Sequence, residues 1–462
     1  MRDLVVILAI LFASVGAFAA TTQPTAPANS VATASIADSA VTLTGGAGQK
    51  VTGILPTANG GTGANLTGTQ YGLPYFSTTT TMGTTAAGTA TTLLHGNAAG
   101  IPAFSSVAVA DLAANTLQGS RNLAFNGNFG INQRAGTYTA DNAYTMDRWR
   151  MLLASAGCAT ASQSTTSPPA RSKTFGLLTV TATNNKKFGF FQPFEGVDVY
   201  ALRGLNVTLS AQMKVNSVAA GHIQDVRMAI LEWTGTEDAI SATPISNWGT
   251  DSAGINAYTA GWAQKNTPAN LSVTASWAQY SVTTSTVIGA TATNLGLFVW
   301  NDDMGTTAAD TLSVGEVQLE IGSTATAFHW RGYGMELARC QRYCWTMPIQ
   351  VSSWQFGIKN QTTFIDAIFR PPVTMRAIPT ITHNISAWDA TGSPAATAIA
   401  CYDLTGAAWI TITGALSVTF GYATVDLIQF RCTAATSFSG TNGIWGSLKT
   451  GSGVIVIANA EL

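Results

Sequence analysis

The sequence predicts an all-β protein: a fibrous interwoven shaft, then a jelly-roll β-sandwich, then a smaller C-terminal β domain, with one connecting helix. Three observations carry this. Only 10% of the 462 residues are charged, against roughly 25% in an ordinary globular domain, and 45 glycines punctuate the chain. From residue 121 onward, short segments alternate β-branched or aromatic residues with polar ones, and turn residues separate them. Between residues 50 and 118, large apolar side chains are too few for a lone chain to offset its backbone entropy. At about 150 residues per domain, the length suggests around three domains.

Residues 1–20 begin with Arg2 and an uncharged run from Leu4 to Phe18, ending in Ala17-Phe18-Ala19. A basic start, an apolar middle and a small-x-small exit describe a secretory signal. Leu4, Leu8, Leu11, Val15 and Phe18 also share one helical seam, suited to burial against another protein. Both readings stay open. Residues 21–49, rich in Thr, Ala, Ser and Pro, read as an extended linker. In residues 50–118, apolar pieces at 51–55, 71–76 and 101–109 alternate with turn clusters such as Asn59-Gly60-Gly61. Such a segment is stable if identical chains wrap together and bury the strands between them, so a homotrimeric shaft is expected.

Residues 119–333 carry the sandwich, with expected strands at 205–214, 226–233, 271–282, 294–300 and 311–320. The linking helix falls within 334–348, running from Met335 to Trp345 with Glu336, Arg339 and Arg342 on its polar side and Pro348 ending it. Residues 349–462 return to strands at 362–369, 397–402, 409–413, 425–432 and 454–458.

Composition excludes several functions. Lys186-Lys187 is the one lysine pair, so nothing resembles the basic surface a nucleic-acid partner requires. The 12 Trp, 19 Phe and 11 Tyr argue against a disordered tail. Five cysteines (158, 340, 344, 401, 432) are odd in number and set no disulfide framework; buried thiols from a reducing compartment are expected.

A glycan-cleaving site would need two carboxylates flanking one sugar bond. The pairs available are Asp141 with Asp147, Glu195 with Asp198, Asp302 with Asp303, and Glu316 with Glu320, and each reads as an ordinary solvated edge. No Gly-x-Ser-x-Gly elbow is present, and the four histidines (95, 222, 329, 383) have no suggestive context. No enzyme activity, metal or cofactor is expected, Asn301-Asp302-Asp303 included. Sugar recognition needs no net charge: aromatic faces stack on pyranose rings while amides bond hydroxyls. Trp233, Trp248, Tyr258, Trp262 and Trp300 lie in or beside loops of the sandwich, and Trp354, Trp388, Trp409 and Trp445 of the C-terminal domain. Trp248, Tyr258, Trp262 and Trp300 are the candidate glycan-binding residues. Asn247-Trp248-Gly249 and Gly261-Trp262-Ala263 set large rings among turn residues, where an exposed aromatic surface is expected.

Several stretches together resemble bacteriophage fibre and other virion appendage proteins. VTGILPTANGGTGAN (residues 51–65) is similar to a recurring shaft element of tail fibres. NLAFNGNFGINQRAG (122–136) with AYTMDRW (143–149) is similar to the opening of jelly rolls akin to carbohydrate-binding modules. EVQLEIGSTATAFHWRGYGMELARCQRYCW (316–345) resembles the closing strand and linking helix, with Tyr343-Cys344 where such helices end in two aromatics. PPVTMRAIPTIT (371–382) and the final Asn459-Ala460-Glu461-Leu462 suit the terminal domain. Carbohydrate-binding jelly rolls often hold a structural calcium, but Gly130 stands where an acidic ligand is expected. The resemblance implies a homotrimeric virion fibre that binds a host-surface glycan and attaches to another virion protein through residues 1–20. The alternatives are a decoration fibre on head or tail, a glycan depolymerase, and a secreted bacterial adhesin.

Overall fold

The computed structural model describes residues 71–76, 82–89, 92–96, 102–106, 121–183, 186–240, 243–347, 355–361, 363–389, 398–403, 408–413, 416–439, 445–450 and 455–462. The apolar segment 1–20, the linker 21–49, the turn-rich element 51–65 and Trp354 lie outside them. The chain divides into two units, Met1–Asp111 and Leu112–Leu462.

In the first unit β1 (Pro74–Phe76) pairs antiparallel with β2 (Met82–Thr84), and β3 (Thr92–His95) with β4 (Ala103–Ser106). Thr85 closes the first hairpin, its N–H donating to Leu73 O at 2.9 Å while its Oγ1 accepts from Leu73 N at 3.0 Å. Tyr71, Phe76, Leu93 and Leu94 are exposed, and among the described residues no side chain of this unit joins a hydrophobic core. An isolated two-stranded hairpin is marginal in water, so these apolar faces call for a covering surface.

The second unit opens with β5 (Thr137–Tyr138), β6 (Ala143–Tyr144), β7 (Arg150–Leu153), β8 (Ala159–Ser164), β9 (Phe175–Val180) and β10 (Phe188–Phe194). After the short helix α1 (Gly196–Val199) come β11 (Val207–Val215), β12 (Val226–Trp233), β13 (Ile245–Asn247), β14 (Ala257–Tyr258), β15 (Trp262–Gln264), β16 (Ala278–Thr283), β17 (Asn294–Asn301) and β18 (Thr311–Ile321). Twelve of these strands form two six-stranded antiparallel sheets, ordered β15-β12-β17-β10-β7-β6 and β16-β11-β18-β9-β8-β5. The protein is therefore almost wholly β, with a jelly-roll-like sandwich.

The two sheets read differently in sequence. β11 alternates: Val207, Leu209, Ala211, Met213 and Val215 enter the core between the sheets, while Thr208, Ser210, Gln212 and Lys214 take the opposite face. β10 and β17 (Asn-Leu-Gly-Leu-Phe-Val-Trp-Asn) are buried at every residue, which requires cover on both faces. Leu295, Leu297 and Val299 face the other sheet; Phe298 and Trp300 face outward into a second, smaller core. The expected strand 271–282 shortens to β16. Asn270 Oδ1 accepts from Ser272 N at 2.7 Å, and Ser272 at φ 50° turns the chain out of an extended path.

The expected helix 335–345 is α2 (Tyr333–Gln341), displaced toward its N-terminus. Cys344–Thr346 instead pairs antiparallel with Val456–Asn459, which in turn pairs with Thr380–His383. Long-range strand pairing overrides local helix propensity here. Eight further strands form a sheet running from Ala387–Trp388 through Ala398–Asp403, Trp445–Thr450, Gln355–Gln361, Phe364–Phe369 and Ile428–Ala434 to Leu416–Ala423, with Ala408–Trp409 beside Ala398–Asp403, while Ile412–Thr413 pairs separately with Ser437–Phe438. Ile365, Phe369, Ile399, Phe430 and Phe438 lie in its core.

Within the second unit, the stretches 122–149, 316–345 and 459–462 that carry the resemblance meet at one joint. Trp149 is fully buried, stacked on Phe129 at 4.8 Å, and donates through Nε1 to Asn126 O at 3.0 Å. Arg148, also fully buried, lies over the Tyr343 ring at 3.6 Å and pairs with Glu461, while donating to Pro193 O at 2.6 Å. Glu195 accepts from Arg342 at 2.9 Å and from Tyr343 at 2.8 Å. Tyr144 donates to Leu462 O at 2.6 Å, and Arg134 reaches Glu461 at 3.2 Å. The C-terminal residues thus bind the opening motif of the sandwich.

Candidate functional site

The four sequence-predicted glycan contacts gather on the outer face of the first sheet. The segment carrying β13 and β14 folds back across it as a cover and returns to the sheet in its edge strand β15, beside β12. Ile245, Trp262 and Trp233 lie against Phe191, Ala229, Leu231, Phe298 and Trp300, with Ile240, Trp248, Ile255 and Tyr258 packed at the margin. Trp300 is 0% and Trp262 5% exposed. Trp300 stacks on Phe298 at 4.7 Å and donates through Nε1 to Asp302 at 2.9 Å. Trp262 meets the Phe191 ring edge-on at 5.7 Å and the Trp233 ring at 5.3 Å. These two rings present no face to a ligand, which corrects the expected exposed surface. The turn residues around them shape the cover itself: Gly261 takes φ +97°, and a Cβ there would come within 2.4 Å of the Trp233 ring. Trp248 and Tyr258 are half-buried, Trp248 against Phe298 and Tyr258 through its hydroxyl to Gln264 at 3.2 Å.

Burial of Trp300 was legible in one respect. Residues 294–301 are apolar without alternation, the signature of a strand covered on both sides.

Charges beside the cover are paired. Lys187 Nζ lies 2.7 Å from Asp302 and donates to Gly254 O at 2.9 Å. Asp302 also faces Arg227 at 3.0 Å and accepts from Gly254 N at 2.7 Å, tying the cover to the strand beneath it. Asp303 accepts from the N–H groups of Gln224 and Asp225, each at 2.6 Å; burial nonetheless pushes its carboxyl above the usual range.

Most of the other carboxylates are buried and engaged rather than standing on a solvated edge as expected. Asp198, half-buried on α1, makes no side-chain hydrogen bond among the described residues, and burial pushes its carboxyl above the usual range. Asp141 accepts from Leu153 N at 2.7 Å, and Asp147 from Gln133 N at 3.0 Å. Glu316 sits at a β-bulge with φ 49° and accepts from Arg171 N at 2.7 Å. Glu320 accepts from Thr326 Oγ1 at 2.6 Å and pairs with Arg121 at 3.8 Å. The bulge breaks the even spacing that set these two glutamates on one face in the sequence. All five cysteines are buried and none forms a disulfide, with Cys340 on α2 and Cys344 in the following strand. Among the described residues, no cluster of His, Cys, Asp or Glu is arranged to hold a metal ion.

Exposed rings stand elsewhere. Trp330 and Tyr333 are 56% and 62% exposed at the rim of a cleft of about 40 Å³, between residues 127–131 and residues 328–336. Its floor is the buried pair Arg331–Glu336, with Nε to Oε2 at 2.5 Å. Arg331 further donates to Asn122 O and Ala124 O, and Glu336 accepts from Asn126 N at 2.5 Å. Both floor charges are consumed within the protein. On the walls, the backbone N–H of His329 donates to Gln318 Oε1 at 2.7 Å, while its buried imidazole Nδ1 has no partner among the described residues. Burial, then Arg121 and Arg331, holds this imidazole below its ordinary range, so it is neutral near pH 7. Asn128 Oδ1 accepts from Gly130 N at 3.1 Å, and among the described residues no bond uses its amide nitrogen. The sequence places 316–345 in the closing strand and helix, with Glu336 on the helix's polar side, and marks none of Trp330, Tyr333 and Asn128 as a binding residue. Gly332 and Gly334 flanking Tyr333 were the available signal, the same one that marked Trp248 and Trp262.

No protein-family model and no curated protein matches the chain at the sequence level. Among solved structures, the enzymatically active domain of tailspike protein 4 of bacteriophage CBA120 is similar over 44% of this chain, at 12% identity and a TM-score of 0.26; the match spans 22% of that structure's length. The CBM22-1 xylan-binding domain of Paenibacillus barcinonensis is similar over 41% of this chain and 95% of its own, at 13% identity and a TM-score of 0.24. A family 11 carbohydrate-binding module of a Clostridium thermocellum cellulase is similar over 42% of this chain and 99% of its own, at 12% identity and a TM-score of 0.22.

Proposed function

We propose that this protein is a homotrimeric virion fibre of a bacteriophage that adheres to a host-surface glycan without cleaving it. The observation that carries the reading is the division between charge and aromatic rings on the sandwich. Asp141, Asp147, Glu195, Asp302, Asp303, Glu316 and Glu320 are each held by cations or N–H and O–H donors of the chain. Rings, by contrast, reach the surface at Trp330 and Tyr333, and in part at Trp248 and Tyr258. A neutral surface with open rings suits sugars, which are bound by stacking and hydroxyl contacts. The exposed apolar residues of the first unit, with no core beneath them among the described residues, support burial between identical chains. In this reading residues 1–20 attach the fibre to another virion protein, and the fibre is assembled in the host cytoplasm.

Binding of the purified chain to host cells, before and after periodate oxidation of their surface polysaccharide, tests the function. Oxidation is expected to abolish binding; undiminished binding to oxidised cells sinks the glycan reading. Release of reducing ends from the polysaccharide would assign a depolymerase instead. Native mass measurement is expected to give three chains per particle, and a stable monomer removes the fibre.

A further inference from the structure

We propose that the cleft between residues 127–131 and 328–336 is a subsite for one uncharged pyranose, the ring lying on Trp330 and Tyr333 while one hydroxyl-bearing edge enters between Asn128 and His329. This rests on the glycan reading and gives it a place and a ligand class.

The argument begins with cost. Two aromatic rings more than half exposed, three residues apart, keep apolar area in contact with water that a ligand would remove. A cavity of about 40 Å³ is too small for a sugar ring but has room for one or two hydroxyl-sized groups. The ring must therefore stay outside, on the exposed aromatic faces, with only an edge inserted.

The polar groups at the mouth suit that edge. The unpartnered Nδ1 of His329 is buried, and a buried imidazole nitrogen without a hydrogen bond is costly until something supplies one. The Asn128 amide nitrogen is a second free donor, and the Tyr333 hydroxyl makes no bond among the described residues. Hydroxyl groups, which donate and accept, satisfy all three.

Charge then selects the ligand class. Arg331 is the cation on the floor, and Glu336 and two backbone carbonyls consume its donors. Arg121, which also acts on His329, is engaged by Ala327 O at 2.9 Å and by Glu320 at 3.8 Å. A uronate, a sialic acid or a phosphorylated sugar would bury its anion with no free cation to meet it, which disfavours acidic glycans.

The test uses the full-length protein and a panel of methyl pyranosides (glucose, galactose, mannose and N-acetylglucosamine), alongside glucuronate and N-acetylneuraminate, with binding read by tryptophan fluorescence and ligand-observed NMR. At least one neutral pyranoside is expected to bind, and both acids more weakly. The Trp330→Ala/Tyr333→Ala variant is expected to weaken that binding at least about tenfold, equivalent to ~1.4 kcal/mol, with unchanged thermal midpoint and oligomeric mass. His329→Ala is expected to weaken it too. Neutral-sugar binding that survives the double substitution overturns the subsite and leaves the glycan reading intact. Preference for an acidic sugar overturns the ligand class. Loss of oligomeric mass on substitution means that a second copy covers the rings, and overturns the subsite. Binding of no sugar in the panel overturns subsite and glycan reading together.

Discussion

The sandwich carries two groups of aromatic residues in glycine-flanked, turn-like sequence, and they differ in what stands opposite them. Around residues 245–262 the turns build a cover over the first sheet, so Trp262 and Trp300 are packed and paired. Around residues 328–336 the chain runs past an opening, and Trp330 and Tyr333 remain in solvent. The local sequence signal is the same. The difference teaches that a ring among turn residues is exposed only when the turn has no sheet face of its own to close.

The strongest way to break this contrast is Trp300→Ala. The residue is fully buried and stacked on Phe298, so its loss should destabilise the protein by about 3–5 kcal/mol, read from denaturant or thermal unfolding. An unchanged unfolding midpoint together with lost sugar binding would reverse the assignment of the two regions. Lys187→Met comes next. It strands Asp302 beneath the cover with Arg227 as its remaining cation, and should cost roughly 3 kcal/mol. The backbone contact to Gly254 is lost with it, so hydrogen exchange across residues 251–262 should accelerate first.

Trp248→Ala sharpens the contrast from the margin of the cover. Half-buried against Phe298, this ring should contribute about 1 kcal/mol, less than Trp300 and more than either cleft ring. A smaller effect concerns pH. The folded state holds the His329 imidazole below the ordinary value of 6.5, so neutral His329 favours folding. Its contribution is present above that ordinary value and declines as pH falls through the lower folded one. Unfolding midpoints between about pH 5 and 8 should show a slope that His329→Phe flattens. An identical slope in the variant would remove His329 as the titrating group. The smallest effect is expected from Trp330→Ala or Tyr333→Ala, each within about 0.5 kcal/mol of the parent. A large loss would mean that these rings are packed after all, against another chain.

The sequence by itself determined the fold class, because alternation is local information. Residues 207–215 state in order which side chains enter the core, and residues 226–233 form a strand with the expected limits. The lack of basic clusters, the odd cysteines and the core-poor stretch before residue 118 needed no coordinates either. Tertiary structure alone decided the helix boundary, since Cys344–Thr346 left the helical pattern to pair with Val456–Asn459, more than a hundred residues away. It also decided which aromatics are open. Trp262 and Trp330 sit in similarly turn-rich surroundings, yet one faces Phe191 and the other faces solvent. Exposure depends on whether a distant strand presents apolar area within reach. Local sequence specifies the direction in which a side chain leaves the backbone, but not what has folded up to meet it.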